Sequence, residues 1–244
     1  NKIDYAGKGT INLNGGTLSA SGGASSLPND SSIILLANSI IDVASGSTFT
    51  NQANLTQSGG TFGITKNGAG TFIFSPPTTT ADRFNGNLDI NAGILELTEA
   101  IGINGSYYNS NRGIRHYYSG NIDIAGGSTL RISLDESITS VDGDPYSGFN
   151  WGTEASNISI SGAGTIDVNS TAYAYLIYAD WTSFSGNLDV DDLLYISQTT
   201  GSAQTTAMSI LGSGSLGIYG TDNMTYTSTN HTLDRVDFND GLGN

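Results

Sequence analysis

Short runs of alternating apolar and polar residues recur along the chain, separated by glycine, serine, asparagine and aspartate. In residues 88–90 (LDI) two apolar residues flank a polar one, and residues 94–97 (ILEL) and 165–168 (TIDV) repeat the alternation. A period of two is the pattern of a β-strand with one buried face, because successive side chains point to opposite sides. No window of the sequence sustains a helical period. The pattern therefore predicts an all-β protein.

Two sequence units recur. The first is Gly-x-Gly-Thr/Ser followed by apolar-x-apolar, and the second is aromatic-x-Gly-Asn-apolar-Asp-apolar. We expect Leu88 and Ile90 to point inward, Asn87 and Asp89 to point outward, and the glycines to mark corners that need a positive φ or a close backbone approach. The first unit occurs at residues 7–13, 68–74, 162–168 and 212–218, and the second at residues 84–90, 118–124 and 184–190.

The irregular spacing of these units favours one class of repeat fold. A β-propeller requires blades of nearly constant length, whereas a solenoid admits extra residues as loops that leave a coil while its strands stay in register. We therefore predict a right-handed parallel β-helix, a single domain over residues 1–244 that is a segment of a longer surface protein, with inserted loops at residues 105–118 and 142–153. Stacking of like residues predicts one outward ladder of Asp89, Asp123 and Asp189.

Composition excludes several other classes. Only 37% of residues are hydrophobic and 12% are charged, but the apolar residues lie in organised runs, which argues against disorder. The formal net charge of −14 disfavours nucleic acids and anionic lipids as partners. No apolar stretch is long enough for a transmembrane helix, so we expect no membrane insertion by this segment. With no cysteine in the chain, disulfides do not hold the fold together.

One stretch of the chain carries a family resemblance. Residues 66–74 (KNGAGTFIF) and 84–97 (FNGNLDINAGILEL) resemble the passenger-associated repeat of autotransporters, whose pattern is K-x-G-x-G-T-L-x-L, a spacer, and Y-x-G-x-x-x-[IV]-x-x-G-x-L-x-L. Residues 7–18, 119–132 and 162–190 are weaker matches, and prolines at 76 and 77 depart from the pattern. The resemblance implies a right-handed β-helix that is secreted to the surface of a Gram-negative bacterium, where such passengers serve adhesion and aggregation.

No motif in the sequence completes a catalytic or cofactor site. Residues 212–217 spell G-x-G-x-x-G, but a dinucleotide site needs a helix after this motif, and these residues belong to the first repeat unit. His116 and His231 have no further histidine or cysteine at metal-ligand spacing, and no nucleophile-elbow motif supports a serine triad. We therefore predict no catalytic residues, no cofactor and no enzyme.

Carboxylates are the remaining candidates for metal binding. Asp142, Asp144 and Asp189 are candidate calcium ligands, because carboxylate oxygens are the ligands that calcium prefers. An EF-hand loop starting at Asp142 is excluded, since its fifth position is Tyr146, which is not a calcium ligand.

An aromatic segment interrupts the repeats. Tyr117, Tyr118 and Arg115 lie in the region of densest positive charge, and Trp151 follows. Tyrosine, tryptophan and arginine are favoured at recognition patches because they contribute a large contact area. These four residues are therefore a candidate ligand site. The alternative is that Tyr117, Tyr118 and Trp151 cover the core as an inserted lid, since large aromatics are mostly buried in part.

These observations predict a non-enzymatic β-helix of the bacterial cell surface or extracellular matrix that acts in adhesion or aggregation. Its partners would be glycans or proteins of a host or a neighbouring cell. Two alternatives stay open. One is a subunit of an extracellular filament that self-associates end to end through open strand edges. The other is a polysaccharide-active enzyme or phage spike, which requires an acidic cleft.

Overall fold

All regular structure in the described part of the chain is β-strand. The computed structural model describes residues 9–75, 84, 86–98, 116–118, 120–133, 149–151, 158–169, 174–191, 193–198, 205–206, 208–219, 225–226 and 235–239. Every strand pairing is parallel, and most connect strands that are one coil apart in the sequence. The predicted parallel β-helix is thus confirmed as a parallel β-solenoid.

The strands stack into two short and two long sheets. The first sheet contains β1 (Thr10–Leu13), β4 (Ser32–Leu35) and β7 (Asn54–Gln57), and a two-stranded fourth sheet contains β21 (Thr205–Thr206) and β24 (Thr225–Tyr226). The third sheet has 8 strands that follow chain order: β3 (Ala24–Leu27), β6 (Thr48–Asn51), β9 (Thr71–Phe74), β11 (Ile94–Leu97), β14 (Thr129–Ile132), β17 (Thr165–Val168), β19 (Asn187–Val190) and β22 (Ser209–Leu211).

The second sheet is the largest, with 12 strands. Ten of them follow chain order, and β12 and β15 extend from β18 as a side branch. The strands are β2 (Thr17–Ala20), β5 (Ser39–Val43), β8 (Ile64–Asn67), β10 (Leu88–Ile90), β12 (His116–Tyr118), β13 (Ile122–Ile124), β15 (Phe149–Trp151), β16 (Ile158–Gly162), β18 (Ala174–Phe184), β20 (Leu193–Gln198), β23 (Ser215–Tyr219) and β25 (Arg235–Asn239).

The branch arises because β18 joins two rows of strands. Its first residues pair with β15 on one side and with β20 on the other, whereas its last residues pair with β16. Beyond β20 the row continues through β23 to β25. Strands β12, β15, the start of β18, β20, β23 and β25 therefore form one continuous row, which we call the β12–β25 row.

The core is built from columns, each being the residues at one register position of successive strands. One column of the third sheet runs through Phe49, Phe72 and Leu95 and continues to Ile210. The rings of Phe49 and Phe72 stack with their centroids 5.5 Å apart. Each fully buried side chain of this kind contributes about 1.5–3 kcal/mol relative to an exposed one, so the columns supply much of the stability of the stack.

The predicted faces of the second unit are confirmed. Leu88 is 4% exposed and Ile90 is fully buried, whereas Asn87 is exposed and Asp89 is half-buried. The aromatic residues that begin two copies of this unit, Phe84 and Phe184, are each 1% exposed. The alternation therefore did encode which side of each strand meets the core.

The predicted corner role of the glycines is also confirmed. Gly68, the first glycine of its repeat unit, has φ +76°. At Gly86 the constraint is contact, because a Cβ there would lie 1.6 Å from the carbonyl oxygen of Phe62. Only a residue without a side chain lets these two coils approach each other so closely.

Two other predictions have different outcomes. The single ladder of Asp89, Asp123 and Asp189 is wrong: Asp89 pairs with Asp123 in the second sheet, whereas Asp189 pairs with Asp167 in the third. The predicted loops at residues 105–118 and 142–153 lie largely outside the described residues. Their described parts are strands β12 and β15, which pair with each other.

A lysine occupies the core of the solenoid. Lys66 is 0% exposed and lies in register with the buried residues Ile41 and Ile90. Its Nζ donates hydrogen bonds to the carbonyl oxygens of Asn67 (2.9 Å), Gly68 (2.8 Å) and Ala92 (3.0 Å). Burial lowers the pKa of Lys66 from 10.5 to about 8, although the charge of Asp42 acts in the opposite direction. The ammonium group thus joins the corners of two successive coils from inside.

Substitution at a contact glycine tests the close approach of the coils. Because its new methyl group would overlap the Phe62 carbonyl, Gly86→Ala should destabilise the fold by about 3 kcal/mol. Gly16→Ala is the matched control, since no atom lies within 4 Å of a Cβ at that position, and we expect a change within about 0.5 kcal/mol. Urea unfolding followed by circular dichroism measures both, and equal midpoints would contradict this account.

Substitution of Lys66 tests the internal clamp. Lys66→Met leaves three corner carbonyls without their donor and should cost about 2 kcal/mol at pH 7. Since the pKa of Lys66 is lower in the folded chain than the ordinary 10.5, the unfolded chain binds more protons between about pH 8 and 10.5, and wild-type stability rises with pH across that window.

This rise in stability with pH should be absent from Lys66→Met. The difference in unfolding free energy between wild type and Lys66→Met should therefore increase toward pH 10.5. Ile90→Met, in the neighbouring coil, controls for methionine in the core. Its stability should change with pH in the same way as that of wild type. Urea midpoints measured from pH 7 to 10.5 decide the matter, and parallel curves for wild type and Lys66→Met would refute the clamp.

Candidate interaction surface

Three of the four predicted ligand residues lie in the β12–β25 row. In the register of β12 and β15, Tyr117 pairs with Asn150 and Tyr118 pairs with Trp151. Arg115 lies outside the described residues, as do the calcium candidates Asp142 and Asp144. The structure therefore places three of the four predicted residues on two neighbouring strands, with Tyr118 and Trp151 at the same register position.

Tyr118 begins a copy of the second unit, and the residues that begin the other two copies, Phe84 and Phe184, are buried. The ligand role of Tyr117, Tyr118 and Trp151 stays a prediction, and so does the alternative that they cover the core as a lid.

Tyr117 belongs to a column that the sequence analysis did not find. Its partner Asn150 pairs with Tyr175, which pairs with Tyr195. The column continues through Gly217 to Asp237. We call Tyr117, Asn150, Tyr175, Tyr195, Gly217 and Asp237 the tyrosine column.

The column one residue earlier reaches the core. Leu194 pairs with Ala174 and with Leu216, and each is one residue before a member of the tyrosine column. Leu194 is fully buried and Leu216 is 1% exposed. The β12–β25 row therefore contributes side chains to the core at Leu194 and Leu216.

A charged column crosses the outer face of the third sheet. Glu96, Arg131, Asp167 and Asp189 occupy one register position in successive strands. The Arg131 Nε donates to Asp167 Oδ2 at 2.7 Å, and its Nη1 lies 3.9 Å from Glu96 Oε2. The hydrogen bond from Arg131 to Asp167 raises the pKa of Arg131 above its ordinary value. Arg131 thus offsets the repulsion between its acidic neighbours.

Asp189 ends this column without a basic neighbour in register, since its next partner is Leu211. Partial burial raises the pKa of Asp189, and the charges of Asp191 and Asp167 act in the same direction. Among the described residues no group of three or more histidines, cysteines and carboxylates is arranged to hold a metal ion. Calcium binding by Asp189 stays a prediction.

A second acidic pair lies on the outer face of the second sheet, where Asp89 and Asp123 are in register. Partial burial raises the pKa of Asp89, the charge of Asp123 raises it too, and a hydrogen bond with Thr65 lowers it. The Ser161 hydroxyl donates to Asp123 Oδ1 at 2.5 Å. Hydroxyl groups of neighbouring coils thereby compensate part of the repulsion within the pair.

Asparagine side chains join the coils along an exposed corner. The Oδ1 atoms of Asn38, Asn87 and Asn121 accept from backbone amides one coil further on, at 2.8, 3.1 and 3.0 Å. Two of these residues are the asparagine of the second repeat unit, which explains why the unit contains it. These asparagines therefore have a structural role at this corner.

The dinucleotide-like motif lies at a corner as well. Gly212 has φ +100°, and strand β23 begins within the motif and continues to Tyr219, where a dinucleotide site requires a helix. The described part of the chain likewise contains no helix that could cross a membrane.

The chain matches no protein-family model, no curated protein and no solved structure.

The acidic pair provides a test of the outer-face register. Asp123→Asn removes the neighbouring charge and should lower the pKa of Asp89 toward its ordinary value, while burial keeps it somewhat raised. Asp167→Asn, in the other column, should leave Asp89 unchanged. Carboxyl chemical shifts followed by NMR from pH 2 to 7 measure both effects. An identical response of Asp89 to the two substitutions would show that the stacking is wrong.

Proposed function

We propose that this chain is a non-enzymatic β-solenoid of the bacterial cell surface or extracellular space, and that it acts in adhesion or aggregation. The observation that carries this proposal is the in-register stacking of parallel strands. Stacking repeats outer-face residues in straight columns at about 4.8 Å per strand. A solenoid with such columns offers an extended binding surface on a rigid support.

The outer face of the third sheet fits this role. One of its columns contains Thr48, Thr71, Thr129 and Thr165, each half-buried, with Ile94 between the second and third. Hydroxyl groups held in a row on a rigid sheet offer hydrogen bonds to a partner at little cost in side-chain entropy. The resemblance to the autotransporter passenger repeat supports export to the cell surface.

A second candidate is a filament subunit that assembles end to end. Within the described residues, β1, β2 and β3 each pair with one strand only, on the side of the next coil. An unpaired strand edge can add a strand from another chain, and head-to-tail addition of this kind produces open filaments.

Cell binding tests the proposed function. Beads coated with the folded chain should retain bacterial cells or host matrix. The control beads carry Gly86→Ala that has been unfolded by heat, and they should retain much less of either. Gly16→Ala should behave as wild type, because its coil packing is intact. Equal retention by folded and unfolded chains would rule adhesion out, and release of reducing sugar from a polysaccharide would show an enzyme instead.

Negative-stain electron microscopy over a range of concentrations separates the two candidates. Adhesion by a single solenoid predicts short separate rods at every concentration. Fibres that lengthen with concentration would favour the filament subunit.

A further inference from the structure

We infer that Asn14 is a site of spontaneous deamidation, at which the folded chain converts asparagine to aspartate and isoaspartate with time. This modification goes beyond the proposed function and does not depend on it. The structure describes two asparagine–glycine pairs, residues 14–15 and residues 67–68. The two pairs are alike in the sequence, but the fold gives them different surroundings, and only the first is free to react.

Deamidation is a reaction of the asparagine side chain with the backbone that follows it. The amide nitrogen of the next residue loses its proton and attacks the side-chain carbonyl carbon, Cγ. A five-membered succinimide ring closes, and the proton leaves on the departing ammonia. Water then breaks the bond between the ring nitrogen and one carbonyl carbon, which gives aspartate when that carbon is Cγ and isoaspartate when it is the other. A glycine in the next position favours the attack, because it has no Cβ to obstruct it.

Asn14 and Gly15 lie in the turn between β1 and β2, where this reaction has room. Both residues are exposed, and so is Gly16. No described residue forms a hydrogen bond with the Asn14 side chain. A Cβ added at Gly15 would meet its nearest atom, the Cβ of Ala37, at 3.8 Å, which is an ordinary contact distance. The side chain can therefore turn toward the Gly15 nitrogen without displacing another part of the protein.

The pair Asn67 and Gly68 is fixed by contacts with its surroundings. The Asn91 Nδ2 donates to the Asn67 Oδ1 at 3.0 Å, which holds the side chain. The Lys66 Nζ donates to the backbone carbonyl oxygens of Asn67 and Gly68 at 2.9 and 2.8 Å, which holds the backbone. A Cβ at Gly68 would overlap the carbonyl oxygen of Val43 in the preceding coil. Ring closure here requires these hydrogen bonds to break and the two coils to separate.

Isoaspartate at position 14 changes the backbone of the first described coil. It inserts a methylene group into the main chain between two points that are bonded to the next coil. At one point the Leu13 carbonyl oxygen accepts from the Leu36 amide at 2.7 Å, and at the other the Gly16 carbonyl oxygen accepts from the Ile40 amide at 3.0 Å. A longer main chain between these points cannot keep both bonds in their present geometry. The modification therefore loosens this end of the described stack and leaves later coils packed.

Incubation of the folded chain at pH 7.5 and 37 °C for several weeks, followed by peptide mass spectrometry, tests the inference. Product should form at Asn14 at least about tenfold faster than at Asn67, where the coil must first open locally. Fragmentation by electron transfer should find isoaspartate as well as aspartate at position 14. The rate should rise from pH 6 to pH 9, since the attacking nitrogen must lose its proton. Absence of product at Asn14, or equal rates at the two sites, would overturn the inference.

The chain unfolded in urea separates the effect of the fold from that of the sequence. Both pairs are then open to solvent, so their rates should agree within about threefold, because neither glycine obstructs the attack. Folding should therefore slow the reaction at Asn67 and leave it fast at Asn14. An Asn67 rate that is the same in folded and unfolded chains would show that the hydrogen bonds and the coil contact give no protection.

Asn14→Gln is the control for the effect on the first coil. Glutamine must close a larger, six-membered ring, a much slower reaction, so this variant should form no product at position 14. In the isoaspartate form of wild type, separated by chromatography, the Ile40 amide should exchange its hydrogen about tenfold faster than before incubation. The Thr71 amide, which donates to Ser47 in a later coil, should be unchanged. If Ile40 exchanges equally in the isoaspartate form and in incubated Asn14→Gln, the modification stands and its effect on the coil is refuted.

Discussion

Close stacking of successive coils is the constraint on which the rest of the structure depends. At the corners, the backbone amides of Gly70, Gly164 and Gly214 donate to the carbonyl oxygens of Val43, Ile124 and Val190 in the preceding coil, at 2.9, 2.9 and 2.7 Å. These bonds form only where the two backbones come into direct contact, and a Cβ at Gly70 would lie 2.3 Å from the Ala44 carbonyl oxygen. The glycines of the repeat therefore serve contact between coils as much as the turn itself.

This constraint explains the unusual residues of the interior. The corners leave backbone carbonyls that the sheet ladders do not use, and a buried acceptor without a donor is costly. Lys66 meets three of them with one ammonium group. The buried Ser128 hydroxyl lies within hydrogen-bond distance of the Ile90 and Ala125 carbonyl oxygens, which also accept backbone amides. The core is thus apolar along the strands and polar at selected corners.

The same stacking acts in opposite ways on the outer faces. It puts Asp89 beside Asp123, whose charge adds to burial in raising the pKa of Asp89. It also puts Arg131 between Glu96 and Asp167, where opposite charges alternate. Register between coils therefore decides whether a column of charged residues repels or pairs.

The sequence by itself determined the fold class, the inward and outward faces of Leu88, Asp89 and Ile90, and the corner role of the glycines. These properties are local, because alternation along a strand and the backbone freedom of glycine depend on a few neighbouring residues. Only the tertiary structure decided which residues share a column: Asp189 with Asp167, and Tyr117 with Tyr175 and Tyr195. Register between coils depends on the length of chain that each coil consumes, and these lengths vary, so sequence spacing does not reveal it. The internal position of Lys66 could not be predicted from the sequence for a similar reason, since its partner Ala92 lies one coil away.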